Sequence, residues 1–168
     1  MSQILNLVFR GLQFFFALLV MALTGDMISD AFAGNPSIIN YAMFCAVFAM
    51  LCLFYLIPAS FMSSLALGGM VPLAIDALNT LFWFCGAVAY AAELGVHSCS
   101  NNHYLRNNRI TNGADNMHQR CQESQAVTAF LWFGFACFAV STALSGMASR
   151  GSGGGSSGIR RGPAMSQV

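Results

Sequence analysis

Between Ile39 and Ile57 the chain runs nineteen residues without a charge, and three other stretches are nearly as apolar. A segment of that length spans the roughly 30 Å hydrocarbon core of a bilayer as a helix, the conformation in which one segment satisfies all its own backbone polar groups in lipid. The first stretch centres on 12–23 and with its flanks covers about 6–28. The second covers 39–58, where Pro58 is expected to limit it. The third, 70–93, carries one internal charge, Asp76, and reaches Glu93 before a long polar region. The fourth, 125–149, stops at Arg150, beyond which Gly151 to Gly158 contain only Gly and Ser.

Composition agrees with a chain built for lipid. It is 57% hydrophobic and 8% charged, with a mean hydropathy of +0.63, whereas soluble domains carry roughly 25% charge. The net charge is +1 with no lysine, which gives no basic field for a nucleic acid. The expected fold is therefore all-α, a polytopic four-helix bundle over 1–150 with a flexible Gly/Ser-rich tail over 151–168. Arg10, a short apolar core and Ala31-Phe32-Ala33 also mimic a cleaved secretory signal. Asp26 and Asp30 close to that site, and the length of the apolar run, favour a retained first helix.

Four crossings place both ends on one side. Arg10, Arg150, Arg160 and Arg161 then face Arg106, Arg109 and Arg120 across the membrane, which points to cytoplasmic termini by a narrow margin. Cys99 and Cys121 bracket the one long polar loop, and a disulfide between them would pin its base. Such a bond belongs to an oxidising compartment, which places the loop outside. His97, His103 and His118 lie in the same loop, and His97-x-Cys99 with His118-x-x-Cys121 could be drawn as a zinc site. The irregular spacing favours the disulfide, with solvated histidines and no metal.

On the third helix, Asp76, Asn79, Thr80, Trp83, Gly86, Ala87 and Tyr90 share a face that should look into the bundle. Gly86 and Ala87 are the expected points of close helix packing. An ionised Asp76 within a bilayer needs a partner or a function. Arg10 lies at a similar depth on the first helix, so an Arg10–Asp76 ion pair is expected, with Asn79 on the same polar stripe.

No nucleophile–base arrangement, phosphate loop or paired catalytic carboxylate is recognisable, and no catalytic residue or cofactor is expected. A small transporter, channel or export factor using Asp76 remains the alternative to a structural role. Arg150, Arg160 and Arg161 can touch an anionic inner leaflet for about 1 kcal/mol each. Arg10-x3-Phe14-x3-Leu18 fits a permissive sterol-contact pattern, and the terminal Ser166-Gln167-Val168 a weak peptide-ligand pattern.

The segment Ala74-Ile75-Asp76-Ala77-Leu78-Asn79, the motif His97-Ser98-Cys99-Ser100-Asn101-Asn102 with Arg109-Ile110-Thr111, then Arg120-Cys121-Gln122 and the terminal Ser-Gln-Val resemble the fungal MARVEL-domain family of the non-classical export protein 2 type. The resemblance implies an uncleaved first helix and a non-enzymatic plasma-membrane protein of furrow-like compartments, the eisosomes. It further implies a part in organising them, a response to sphingolipid status and a link to unconventional export. Expected partners are membrane lipids, with sphingolipid or sterol foremost, eisosome-type coat proteins and further copies of the chain.

Overall fold

The computed structural model describes residues 3–32, 34–61 and 70–153, and these are helical wherever they are regular. Helix α1 spans Gln3–Ser29, α2 Ser37–Phe61, α3 Met70–Leu94, α4 Asn102–Asn107 and α5 Met117–Gly153. All but α4 are long and apolar enough to cross a membrane. Helix α1 packs on α2 and α5, and α3 packs on the same two, so the spans form a ring in the order α1, α2, α3, α5. Helices α1 and α3 face each other across it.

Each long helix turns a stripe of three- and four-residue steps inward, as a 3.6-residue period requires. On α1 the buried stripe is Arg10, Gln13, Ala17, Val20, Thr24 and Met27. On α3 it is Asp76, Asn79, Trp83, Gly86, Ala87, Tyr90 and Leu94. Helix α2 contributes Ala42, Cys45, Ala46 and Ala49, whose small side chains let neighbouring backbones approach. The outer faces carry large apolar groups such as Leu51, Phe54, Leu81 and Phe133, each more than half exposed in the isolated chain, which is the surface lipid would cover.

Helix ends depart from the sequence reading in three places. Pro58 does not end α2, which continues to Phe61; proline inside a membrane helix is tolerated far more readily than in a soluble one, and beyond it Ser60 Oγ donates to the Leu56 carbonyl at 2.8 Å. Helix α5 starts at Met117 rather than near 125, because the Asn116 side chain accepts from the Gln119 amide at 3.1 Å and caps the first turn. It also runs to Gly153, three residues into the Gly/Ser stretch. At the other end of the bundle α3 closes on Gly95, whose φ of 65° few other residues adopt, with its amide bonded to the Ala91 carbonyl at 2.9 Å.

Candidate functional site: a buried polar network under a tied cap

Arg10 and Asp76 meet across the diagonal of the ring. Arg10 Nη1 lies 2.5 Å from Asp76 Oδ1, and Nη2 lies 2.7 Å from Oδ2, a two-pronged pair with 2% and 0% residue exposure. Both carboxylate oxygens are thereby occupied, the geometry in which a guanidinium binds a carboxylate best. Seven residues separate Arg10 from the start of α1 and six separate Asp76 from the start of α3. At 1.5 Å per residue both sit about 10 Å inside the helix ends on the side of the termini.

The pair extends into a network that ties three helices. Arg10 Nη1 also donates to Gln13 Oε1 at 3.0 Å, and Gln13 Nε2 donates to Ser141 Oγ at 2.8 Å and to the Cys137 carbonyl at 3.3 Å on α5. One turn further, the hydroxyls of Thr80 and Thr142 lie 3.0 Å apart and bridge α3 to α5. Asn79 Nδ2 donates back to the Ile75 carbonyl at 3.0 Å, while its Oδ1 has no hydrogen-bond partner among the described residues. Asn79 is thus buried beside the pair but takes no part in it.

Above the network the bundle closes by direct packing. Gly86 faces Tyr41 and Cys45 of α2 and Leu131 of α5, and a side chain there would begin 3.4 Å from the Tyr41 ring. That approach lets Tyr41 Oη reach the Phe82 carbonyl at 3.3 Å. Ala87 is fully buried in the same layer. Gly134 of α5 lies directly against the indole of Trp83.

The segment between α3 and α5 forms a cap. Cys99 and Cys121 are bonded, with Cα atoms 5.7 Å apart, so both sulfurs are committed to each other and not to a metal. Asn101 caps α4 through its side chain, accepting from the amides of His103 and Tyr104. Tyr104 Oη donates to the Leu94 carbonyl, and burial pushes its hydroxyl pKa above the ordinary 10.0. His97 stacks on the Tyr104 ring with centroids 4.5 Å apart. His103 sits beside Asn107, and His118 is exposed near the start of α5.

Arg120 is the cap's anchor. Although it counts as a loop charge in the sequence, it is 2% exposed. Its Nη1 donates to the Met27 carbonyl at 2.6 Å, Nε to the Ile110 carbonyl at 2.7 Å and Nη2 to Asn35 Oδ1 at 3.0 Å. The Phe32 amide adds a bond to the Gly113 carbonyl at 3.3 Å. One side chain thus joins α5 to the end of α1, the α1–α2 connection and the cap.

The model of the MARVEL domain, described as a membrane-associating domain, matches residues 3–144, which take in the first three spans, the cap and most of the fourth span. This chain belongs to the MARVEL family. It is 35% identical over 139 residues to non-classical export protein 2 homolog 1 of Saccharomyces cerevisiae, covering 80% of this chain and 76% of that protein. It is 36% identical over 145 residues to non-classical export protein 102 of Candida albicans, covering 86% and 84%. A Schizosaccharomyces pombe non-classical export protein 2 homolog is 30% identical over 135 residues, 80% of this chain and 72% of its own length. No solved structure matches.

Within this MARVEL domain the residues anticipated from sequence fall into two groups. Arg10 meets Asp76, and Cys99 meets Cys121, while Gly86 and Ala87 lie at the helix contacts just described. The side chains of Arg150, Arg160 and Arg161, and the terminal Ser166-Gln167-Val168, lie outside the described residues. Gln13, Ser141, Gly134 and Arg120 are structural residues whose contacts lie beyond what motif and spacing single out. Gln13 had a signal, since it lies three positions after Arg10 in the stripe that continues to Ala17 and Val20.

Proposed function

We propose that this multi-pass membrane protein is a non-enzymatic organiser of lateral domains in the plasma membrane. It acts in furrow-like eisosomal compartments, with its termini cytoplasmic and its assembly responsive to sphingolipid. The observation that carries the reading is the fate of the intramembrane charge: Asp76 has no exposure and both its oxygens are held by Arg10. Its polar interior serves as a staple, leaving the broad apolar exterior as the working surface toward lipids and other proteins. A transporter, channel or export factor using Asp76 would need that carboxylate free to exchange a proton or a substrate.

The Cys99–Cys121 bond supports an outward-facing cap, since persistent disulfides belong to oxidising compartments. The arginine distribution leans the same way. Relatives carry the name non-classical export protein, and a contribution to unconventional export follows for this chain if compartment organisation supports that route. Sphingolipid or sterol, eisosome-type coat proteins and further copies of the chain are the partners this role requires.

The test is imaging of a tail-tagged copy in its fungal host beside a furrow-coat marker, before and after sphingolipid synthesis is blocked. Immobile cortical patches that coincide with the marker and disperse on depletion are expected. An even distribution indifferent to the lipid change overturns the reading, and proteoliposome flux measured with and without Asp76→Asn then becomes the deciding assay.

A further inference from the structure

A groove of about 520 Å³ opens between α2 and α3 on the cap side of the bundle. Its walls are Ile38 and Tyr41 from α2 and Cys85 and Ala89 from α3, and its mouth carries Glu93 and Arg109 beside Pro36 and Ser37 at the start of α2. Cys85 and Glu93 are eight residues apart, so at 1.5 Å per residue the groove descends about 12 Å. That is close to the depth of one leaflet's hydrocarbon, about half of 30 Å. Mostly apolar walls over one leaflet's depth, with charge confined to the mouth, have the polarity profile of a single lipid.

The mouth is bipolar and held in place. Arg109 Nη1 lies 3.7 Å from Glu93 Oε1, with side chains 80% and 39% exposed. An ion pair so exposed contributes little to stability, and its two members readily exchange each other for outside charges. Their backbone positions are fixed, however, because the Asn108 side chain donates to the Glu93 carbonyl at 2.8 Å and accepts from the Ile110 amide at 2.9 Å. Arg109 is thereby presented between two anchored residues at the end of α3.

The geometry points to a binding site for one zwitterionic phospholipid of the cap-side leaflet, its phosphate on Arg109, its ammonium on Glu93 and one acyl chain along Tyr41, Cys85 and Ala89. Charge complementarity selects this occupant. A sterol leaves both charges unused, and an anionic lipid without an amine places its phosphate beside Glu93 with nothing to offset the repulsion. The site requires only that the chain sits in a bilayer, so it stands or falls separately from any role in domain organisation.

Native mass spectrometry of the full-length protein, released from nanodiscs containing equal phosphatidylcholine, phosphatidylglycerol and ergosterol, tests the assignment. Wild type is expected to retain one phosphatidylcholine in preference to the other two. Ala89→Phe, which fills the groove from an exposed position, should abolish that retention while the disulfide and thermal midpoint are kept. Glu93→Gln should lower the preference for phosphatidylcholine over phosphatidylglycerol about three-fold, the effect of one exposed charge contact. Equal retention of both phospholipids, retention untouched by either variant, ergosterol in their place, or a lipid-free dimer that Ala89→Phe disrupts would each overturn the proposal. Should Ala89→Phe fail to fold, the surface change Glu93→Gln still decides the headgroup claim.

Discussion

Gly134 lies so close beneath Trp83 that a methyl group in its place would sit 2.0 Å from ring carbon Cζ3. The indole is fully buried between α3 and α5 and also meets Phe138, with ring centroids 5.6 Å apart, so it has little room to yield. Gly134→Ala is therefore expected to destabilise the bundle by about 1–3 kcal/mol through overpacking, although alanine is the better helix former. Combining it with Trp83→Leu should remove most of that added cost. Denaturation of the four proteins in one detergent checks this, and simple additivity of the two changes would contradict the contact.

The Arg10–Asp76 pair has an equally clear signature. Arg10→Met or Asp76→Leu alone leaves an unpartnered charge among buried groups and should cost about 3–5 kcal/mol. The double substitution should be much milder, because it removes both desolvated charges together. Thermal midpoints for the complete cycle provide the measurement, and equal damage from all three variants would sink the interpretation.

Arg120 serves acceptors on three separate segments, a task for a planar guanidinium rather than a compact ammonium. Arg120→Lys should accordingly resemble Arg120→Gln, each losing about 2–3 kcal/mol as buried carbonyls are left unpaired. Hydrogen exchange should accelerate both at the end of α1 and around 110–113. Acceleration on only one side of the cap would show that the two are not joined through this residue.

The disulfide closes a separation of 22 residues, for which loss of the cross-link should cost about 3 kcal/mol. Cys99→Ser with Cys121→Ser reports that loss in purified protein. In intact cells an impermeant reductant should open the bond from outside if the cap is extracellular. Reduction only after permeabilisation would reverse the proposed orientation.

Tyr104 gives a pH dependence of definite sign. Its hydroxyl pKa is raised in the folded protein by burial, so its contribution is intact below the ordinary value of 10.0 and is lost as pH climbs through the folded value. Tyr104→Phe should flatten that part of the alkaline stability curve and leave neutral pH affected only by the missing bond to Leu94. Identical alkaline curves for the two proteins would assign the loss to other groups.

The spans were legible because uncharged runs of bilayer length admit few structures, and the inward face of α3 was legible because its polar and small residues recur at helical spacing. The ion pair could be anticipated from depth alone, since two opposite charges at matching levels in lipid have few other partners. Arg120 could not, because composition does not distinguish an arginine solvated in a loop from one spent on backbone carbonyls. Gly134 sits between Phe133 and Phe135, and only the facing indole reveals why a side chain is excluded there. The start of α5 was hidden by its polar first turns, which read as loop until Asn116 is seen to cap them.

In a chain inserted as it is synthesised, Arg10 reaches the bilayer 66 residues ahead of Asp76. At roughly 5–20 residues per second that interval is on the order of 3–13 seconds. Throughout it α1 carries an uncompensated cation, which a long side chain near a helix end relieves by reaching back to the headgroups. The arrival of α3 draws the guanidinium inward, so the same contact that holds the finished bundle also imposes an order on its assembly: the first hairpin waits, and the third helix closes the latch.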